Sequence, residues 1–255
     1  MNILVTRNLP SSVIARLHEL GSVDVHTEGV IPADVLKQRV ADKEALVCLM
    51  SDVIDRGVID AGTRLKIVSN VAVGYNNIDH AYARSRGVVV TNTPDVLTES
   101  VADFTWAMIL AITRRLAEGD RLIRRGGWKT WAFDFMLGTE LRGKQLGLVG
   151  FGRIARAVAA RAPVFGMHVA YTDVRPADSR FENMSLDRLL NTSDVVSLHV
   201  NLTAETRHLI DRKAVRVIRA RGRKRAINRL HAVTRTGASR PPALERLLAA
   251  LRPAR

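Results

Sequence analysis

The chain has 255 residues, 47% of them hydrophobic, which suffices for one large domain or two smaller ones. A single cysteine, Cys48, excludes an intramolecular disulfide framework. No apolar run reaches the roughly 18 residues of a membrane span, and the opening MNILVTRNLP lacks the charged start, apolar stretch and cleavage site of a secretory signal. These features lead to the expectation of a cytoplasmic chain with no membrane partner. The net charge of +14 is unevenly placed: residues 219–255 carry 11 of the 39 Lys and Arg and one acid, Glu245, so +10 of the excess sits in the last 37 residues. Residues 1–218 have the balance of an ordinary enzyme-like chain.

Short β-branched runs at 3–6, 23–26, 45–50, 65–69 and 87–91 alternate with helical patterns at 11–20, 32–41, 53–61 and 77–86. Strands separated by helices imply βαβ units and a parallel sheet covered on both faces. Five such strands predict a flavodoxin-like first domain over residues 1–98. The longest helical pattern follows, from 99 to about 125. Its first half, VADFTWAMILAI, is apolar nearly all round, which predicts burial on more than one side. Such a helix joins two domains, packs in a dimer interface, or is a plain core helix; the sequence leaves these open. Gly126-Gly127 ends it. A loop with Trp128, Trp131, Phe133 and Phe135 precedes a second βαβ series: strand 145–150, helix 153–165, strand 168–173, helix 185–191, strand 195–200 and helix 205–218.

In that series, Gln145-Leu-Gly-Leu-Val-Gly-Phe-Gly-Arg-Ile-Ala155 is a strand running into G-x-G-x-x-A and then a helix. Gly150 permits the tight turn, Gly152 lets the backbone approach a pyrophosphate, and the small Ala155 lets helix and strand pack closely. A helix N-terminus with free N–H groups suits the phosphates. Asp173 lies 23 residues after Gly150, at the end of the next strand, where a carboxylate accepts hydrogen bonds from the adenosine ribose. It repels a 2′-phosphate, which favours NAD and disfavours NADP, although Arg175 weakens the preference. A bare glycine turn beside a surface aspartate is the bland alternative.

The text flanking the fingerprint resembles the D-isomer-specific 2-hydroxyacid dehydrogenase family. The resemblance lies in Asn70-Val-Ala-Val-Gly-Tyr-Asn-Asn-Ile-Asp79, Thr91-Asn-Thr-Pro-Asp-Val-Leu-Thr-Glu-Ser-Val-Ala-Asp103, Leu148-Val-Gly-Phe-Gly-Arg-Ile154 and Ser197-Leu-His-Val-Asn-Leu-Thr-Ala-Glu-Thr-Arg-His-Leu-Ile210. The segment Gly127-Trp-Lys-Thr-Trp-Ala-Phe-Asp-Phe-Met-Leu-Gly138 is similar to the glyoxylate reductase branch, which also reduces hydroxypyruvate. The resemblance runs from residue 1 to about 218. It implies a flavodoxin-like substrate domain (1–98) and a Rossmann-type, doubly wound NAD-binding domain (99–218). It also implies a homodimer, and reduction of a small 2-oxo acid to the 2-hydroxy acid between the two domains.

Carried over residue by residue, the backbone N–H groups of Val73 and Gly74 would hold the substrate carboxylate, with Met50 and Ser51 lining the same place. An anion in a glycine turn can take several backbone donors without a side chain in the way; a simple tight turn is the alternative. Thr98 would face the cofactor. Gly150, Phe151, Gly152, Arg153, Ile154 and Asp173 would hold its pyrophosphate and ribose, and His199 and Leu202 would border it. His199 is expected to be a satisfied structural histidine rather than a proton carrier. No metal ligand set is assigned.

The family also uses an arginine that clamps the substrate carboxylate, a histidine general acid/base and a glutamate that orients it. None has a match here. After Ile218 the sequence reads Arg-Ala-Arg-Gly-Arg-Lys-Arg225, whose charges are unsuited to the buried parallel strand that the family has at this point. Arg229, His231 and Glu245 lack the family's surrounding motifs. The Rossmann-type domain is therefore expected to be incomplete at its C-terminal end, with a disordered basic tail over 219–255 and impaired activity. The Arg-, Ala-, Pro- and Gly-rich composition of that tail suggests a shift of reading frame near residue 219, which sequencing of the DNA would test. The competing class is a non-catalytic NAD-binding scaffold or sensor whose basic tail meets nucleic acid or an acidic partner. The absence of aromatic residues from 219–255 argues against nucleic-acid binding by base stacking.

Overall fold

A computed structural model of the chain describes residues 1–175, 178–212 and 214. The described residues fall into two units, residues 1–96 and those from Leu97 onward.

In the first unit, β1 (Asn2–Val5), β2 (Ser22–Val25), β3 (Ala45–Cys48), β4 (Ile67–Asn70) and β5 (Val89–Thr91) form one parallel sheet in the order β2-β1-β3-β4-β5. The register places Ile3 beside Val23 and Ala45, and Val68 beside Leu46 and Val90. Successive side chains of a strand point to opposite faces, so Leu4 joins Leu36, Leu46, Ile59 and Val68 on one side of the sheet. Ile3, Val5 and Ala45 pack with Ile14 and Leu17 on the other.

Helices α1 (Ser11–His18), α2 (Ala33–Val40), α3 (Arg56–Ala61) and α4 (His80–Ser85) make the connections. Two of them begin at a carboxylate that accepts an otherwise unpaired helix N–H: Asp55 Oδ1 from Val58, 2.9 Å, and Asp79 Oδ1 from Tyr82, 3.0 Å. All five strands run parallel, so the loops after β1, β3 and β4 gather along one end of the sheet, and the strand order reverses between β1 and β3, the kind of place where open α/β sheets bind ligands.

The second unit opens with α5 (Thr98–Thr113) and α6 (Leu116–Arg124). The single helix expected over 99–125 is two helices, because Arg115 adopts left-handed backbone, φ 57°, and breaks the hydrogen-bond ladder. The burial on more than one side expected for the first of them is also absent. Only the stripe Ala102, Trp106 and Ile109 is buried, while Phe104 stays exposed.

The sheet of this unit takes the parallel order β8-β7-β6-β9, from β6 (Gln145–Val149), β7 (His168–Thr172), β8 (Glu182–Asn183) and β9 (Val195–Leu198). Helix α7 (Arg153–Arg161) packs on α5. Trp106 donates from Nε1 to the Val158 carbonyl (3.0 Å) and stacks on Phe165 with ring centroids 4.3 Å apart. A 3-10 turn over Ala162–Phe165 finishes what the sequence presented as one helix to 165.

Helix α8 (Leu186–Thr192) starts at Ser185, whose hydroxyl accepts from the Arg188 N–H. The short strand β8 was not expected. Of the helix expected over 205–218, residues 205–208 form turns instead, with His208 in left-handed backbone at φ 59°; residues 212 and 214 are helical, and 213 and 215–218 lie outside the described residues. Thr203 and Thr206 tie their own main chain there instead, Thr203 N–H giving to Thr206 Oγ1 at 2.8 Å. No helix among the described residues is long and apolar enough to cross a membrane.

Candidate functional site

Strand β6 delivers the chain into a turn that only glycine fits well. Gly150 has φ 85°, and a Cβ there would lie 2.9 Å from the carbonyl carbon and oxygen of His199. Gly152, the residue before α7, differs. Its backbone is ordinary (φ −73°), and a Cβ would meet nothing within 4 Å. This is an open cradle at a helix mouth.

The first main-chain bond into α7 is Arg156 N–H to the Gly152 carbonyl, 3.0 Å, and no described residue accepts from the N–H groups of Gly152 or Ile154. Ala155 is fully buried beneath them, which lets α7 sit close to the sheet. Phe151 is buried, its ring stacked on Tyr171 with centroids 4.0 Å apart, and only its main chain faces the turn.

Asp173 follows β7 directly. One carboxylate oxygen accepts from Phe151 N–H (2.6 Å) and the other from Arg175 N–H (3.2 Å). The acid is therefore fixed beside the turn while each oxygen keeps a second lone pair. The open cradle, the unpaired N–H groups and the fixed carboxylate suit a dinucleotide pyrophosphate and ribose.

His199 leaves β9 with its N–H bonded to the Val149 carbonyl (2.7 Å), and its Nε2 lies 2.9 Å from Ser197 Oγ. Burial pushes the imidazole down to about 4, so the ring is neutral near pH 7. This favours a structural histidine over a proton carrier. Leu202 is exposed on the following loop, and Thr98 is the first residue of α5.

In the first unit, Val73 and Gly74 lie on the loop after β4, and no described residue accepts from either N–H. Their surroundings are polar and ordered. Asn92 Nδ2 gives to the Val73 carbonyl (2.8 Å), Thr93 N–H to the Ala72 carbonyl (2.9 Å), and Asn70 Nδ2 to the Gly74 carbonyl (2.7 Å). Asn77 Nδ2 spans to the carbonyls of Leu49 and Asp52, at 3.1 and 3.0 Å, linking this loop to the one after β3 that carries Met50 and Ser51. Ser51 Oγ accepts from Arg7 (2.7 Å), so the end of β1 reaches the same place.

Arg7, Asp52, Asn70, Asn77 and Asn92 carry no motif that singles them out in the sequence. The only signal was the density of short amide side chains around Gly74, and such residues are equally common in plain turns. The expected basic tail over 219–255 lies outside the described residues, as do Arg229, His231 and Glu245.

Comparison with known proteins identifies the family. Residues 106–223 match the family model for the D-isomer specific 2-hydroxyacid dehydrogenase, NAD binding domain. A glyoxylate reductase of Korarchaeum cryptofilum is 44% identical over 221 residues, covering 84% of this chain and 67% of the relative. Among solved structures, the TT0316 protein from Thermus thermophilus superposes with a TM-score of 0.81 at 43% identity, covering 86% of this chain and 70% of that one. A D-lactate dehydrogenase from Aquifex aeolicus, complexed with NAD and lactic acid, superposes at 0.75 with 29% identity, covering 86% and 66%. The chain thus spans about two thirds of the length of the curated relatives it matches. With its parallel Rossmann-type sheet and its NAD-binding fingerprint, the chain belongs to the D-isomer-specific 2-hydroxyacid dehydrogenases, which are NAD-dependent oxidoreductases.

Proposed function

We propose that this chain binds NAD at the mouth of α7 and a small 2-oxo acid, glyoxylate or hydroxypyruvate, at the loop after β4. Residues 1–98 would serve the acid and 99–218 the cofactor. The bound nicotinamide supplies the hydride that converts the oxo acid to the hydroxy acid. The observation carrying the reading is a pair of adjacent main-chain donors, Val73 and Gly74, from which no described residue accepts, on a loop where the carbonyls of Ala72, Val73 and Gly74 are all engaged. Such a loop offers positive potential to a carboxylate without a bulky cation. Met50 and Ser51, at the end of β3, would border the bound acid.

On the cofactor side, Gly150, Phe151, Gly152, Arg153 and Ile154 would meet the pyrophosphate, Asp173 the ribose, and Thr98, His199 and Leu202 the remaining edge. Asp173 disfavours a 2′-phosphate and hence NADP. The branch assignment rests on relatives that carry the glyoxylate reductase name at 44% identity. A homodimer is part of the proposal, supported by exposed Phe104, Trp128, Trp131 and Phe133.

Turnover by this chain is proposed to be impaired, because no residue matches the arginine, histidine and glutamate through which the family polarises the carbonyl and delivers the proton. Loss of general acid catalysis alone costs about 10²–10⁴ in rate. Spectrophotometry of NADH oxidation with glyoxylate and hydroxypyruvate, alongside fluorescence titration of NADH, tests the reading. Saturable NADH binding with turnover barely above background is the expected result. Rapid turnover would refute the impairment, and absence of NADH binding by folded protein would refute the site.

A further inference from the structure

We propose that Asn92 is a positioning residue that aims the Gly74 N–H at the substrate carboxylate; this deepens the reading of Val73 and Gly74 as the acid-binding donors and rests on it. A trans peptide is planar, so the C=O of one residue and the N–H of the next point in opposite directions. The donor at Gly74 therefore shares a rigid plane with the carbonyl of Val73, and the donor at Val73 shares one with the carbonyl of Ala72.

Both carbonyls are held from the same direction in sequence, the segment leaving β5. Asn92 Nδ2 holds Val73 O at 2.8 Å, and the N–H of Thr93 holds Ala72 O at 2.9 Å. Fixing the two carbonyls on one side turns the two N–H groups to the other. The next peptide is fixed as well, by Asn70 Nδ2 on Gly74 O at 2.7 Å.

This frame is anchored below. Asn70 is fully buried, and its Nδ2 also reaches Asn77 Oδ1 (3.2 Å), while Asn77 binds the carbonyls of Leu49 and Asp52. The Asp52 carboxylate, with a fully buried side chain, is satisfied by Thr6 Oγ1, Leu49 N–H (2.8 Å) and Arg7 Nη2 (3.0 Å). Three buried polar residues, Thr6, Asp52 and Asn70, thus belong to one connected network under the loop. Networks in which every member is satisfied rigidify what they hold. Asn92 stands apart from this base. It is only half-buried and holds the loop through one bond, so changing it alters the aim of a donor with little effect on the core.

Asn92→Asp is nearly isosteric but sets a carboxylate against the Val73 carbonyl, and Asn92→Ala simply removes the bond. The test follows the backbone amides of the ¹⁵N-labelled full chain, saturated with NADH, as oxamate is added as a non-reacting 2-oxo acid analogue. In the unaltered protein the Val73 and Gly74 resonances shift saturably. In Asn92→Asp the oxamate Kd rises about tenfold or more, equivalent to about 1.4 kcal/mol, and in Asn92→Ala it rises about threefold or more. NADH affinity and Tm stay close to those of the unaltered protein, which a merely structural role would not produce. If both amides shift in the unaltered protein and both variants bind oxamate as tightly, the positioning role is overturned while the acid site stands. If neither amide moves in the unaltered protein, the acid site falls and the positioning role falls with it. Should Asn92→Asp fail to fold, Asn92→Ala decides alone.

Discussion

The Asp173 carboxylate accepts a hydrogen bond from the main-chain N–H of Phe151 at 2.6 Å, which ties the end of β7 to the glycine turn that leaves β6. The acid is therefore already oriented at the proposed cofactor site, and its position does not depend on ligand to collect it. A second bond, from Arg175 N–H at 3.2 Å, holds the other oxygen. A carboxylate fixed in this way can take ribose hydroxyls on its remaining lone pairs and repels a phosphate at the same place.

Replacing Asp173 by Ala removes the ribose acceptor and the clamp on Phe151 together. NADH affinity is expected to fall by about 10- to 100-fold, the cost of one or two charge-assisted hydrogen bonds. NADPH affinity should fall less, so the ratio of the two Kd values narrows. Fluorescence titration with both cofactors reads this directly, and an unchanged ratio would show that Asp173 does not discriminate between them.

Gly150 and Gly152 should respond differently to the same methyl group. At Gly150, left-handed backbone and a 2.9 Å approach to the His199 carbonyl make alanine strained by about 1–3 kcal/mol or more. Gly150→Ala should therefore lower Tm whether or not ligand is present. At Gly152 the backbone suits alanine and the space is open, so Gly152→Ala should leave Tm unaltered. Its methyl projects into the proposed pyrophosphate cradle, and NADH binding should weaken about tenfold or more. Thermal melts with and without NADH separate the two. Equal behaviour of the two variants would count against the cradle.

His199 gives stability a pH dependence of definite sign. Its folded-state value is about 4 because burial disfavours the charged ring, against 6.5 for the exposed group in an unfolded chain. Above pH 6.5 the ring is neutral in both states and the native fold carries no penalty. As pH falls towards 4, the unfolded chain takes up a proton that the native protein refuses, and stability is lost. Urea unfolding at pH 7 and pH 4.5 should show a smaller difference in His199→Asn than in the unaltered protein. An identical difference would mean that the imidazole does not titrate as described.

Much of the fold was legible because its signals are local and repeated. The five short β-branched runs of the first unit correspond to β1–β5, and G-x-G-x-x-A marks its own turn because left-handed backbone at Gly150 has few other solutions. The misreadings have physical causes too. Apolar periodicity runs straight through Arg115, whose left-handed conformation carries no composition signal, so two helices read as one. The pattern after 205 is helix-compatible, but Thr203, Thr206 and His208 commit their hydrogen bonds and backbone to turns. Two-residue β8 is too short to show alternation. At the proposed acid site, Val73 and Gly74 are singled out only through resemblance, and the amides of Asn70, Asn77 and Asn92 that frame them are not singled out at all. Those bonds join residues up to 28 positions apart, and no local pattern encodes them.

The N-terminus of α7, with Asp173 beside it, is proposed to hold a nicotinamide dinucleotide. Calorimetric titration of the full chain with NADH tests it most directly. Saturable binding at one site per chain is expected, weakened in Gly152→Ala while that variant melts as the unaltered protein does. A cooperatively folded chain that releases or absorbs no heat with NADH across the micromolar to millimolar range would contradict it.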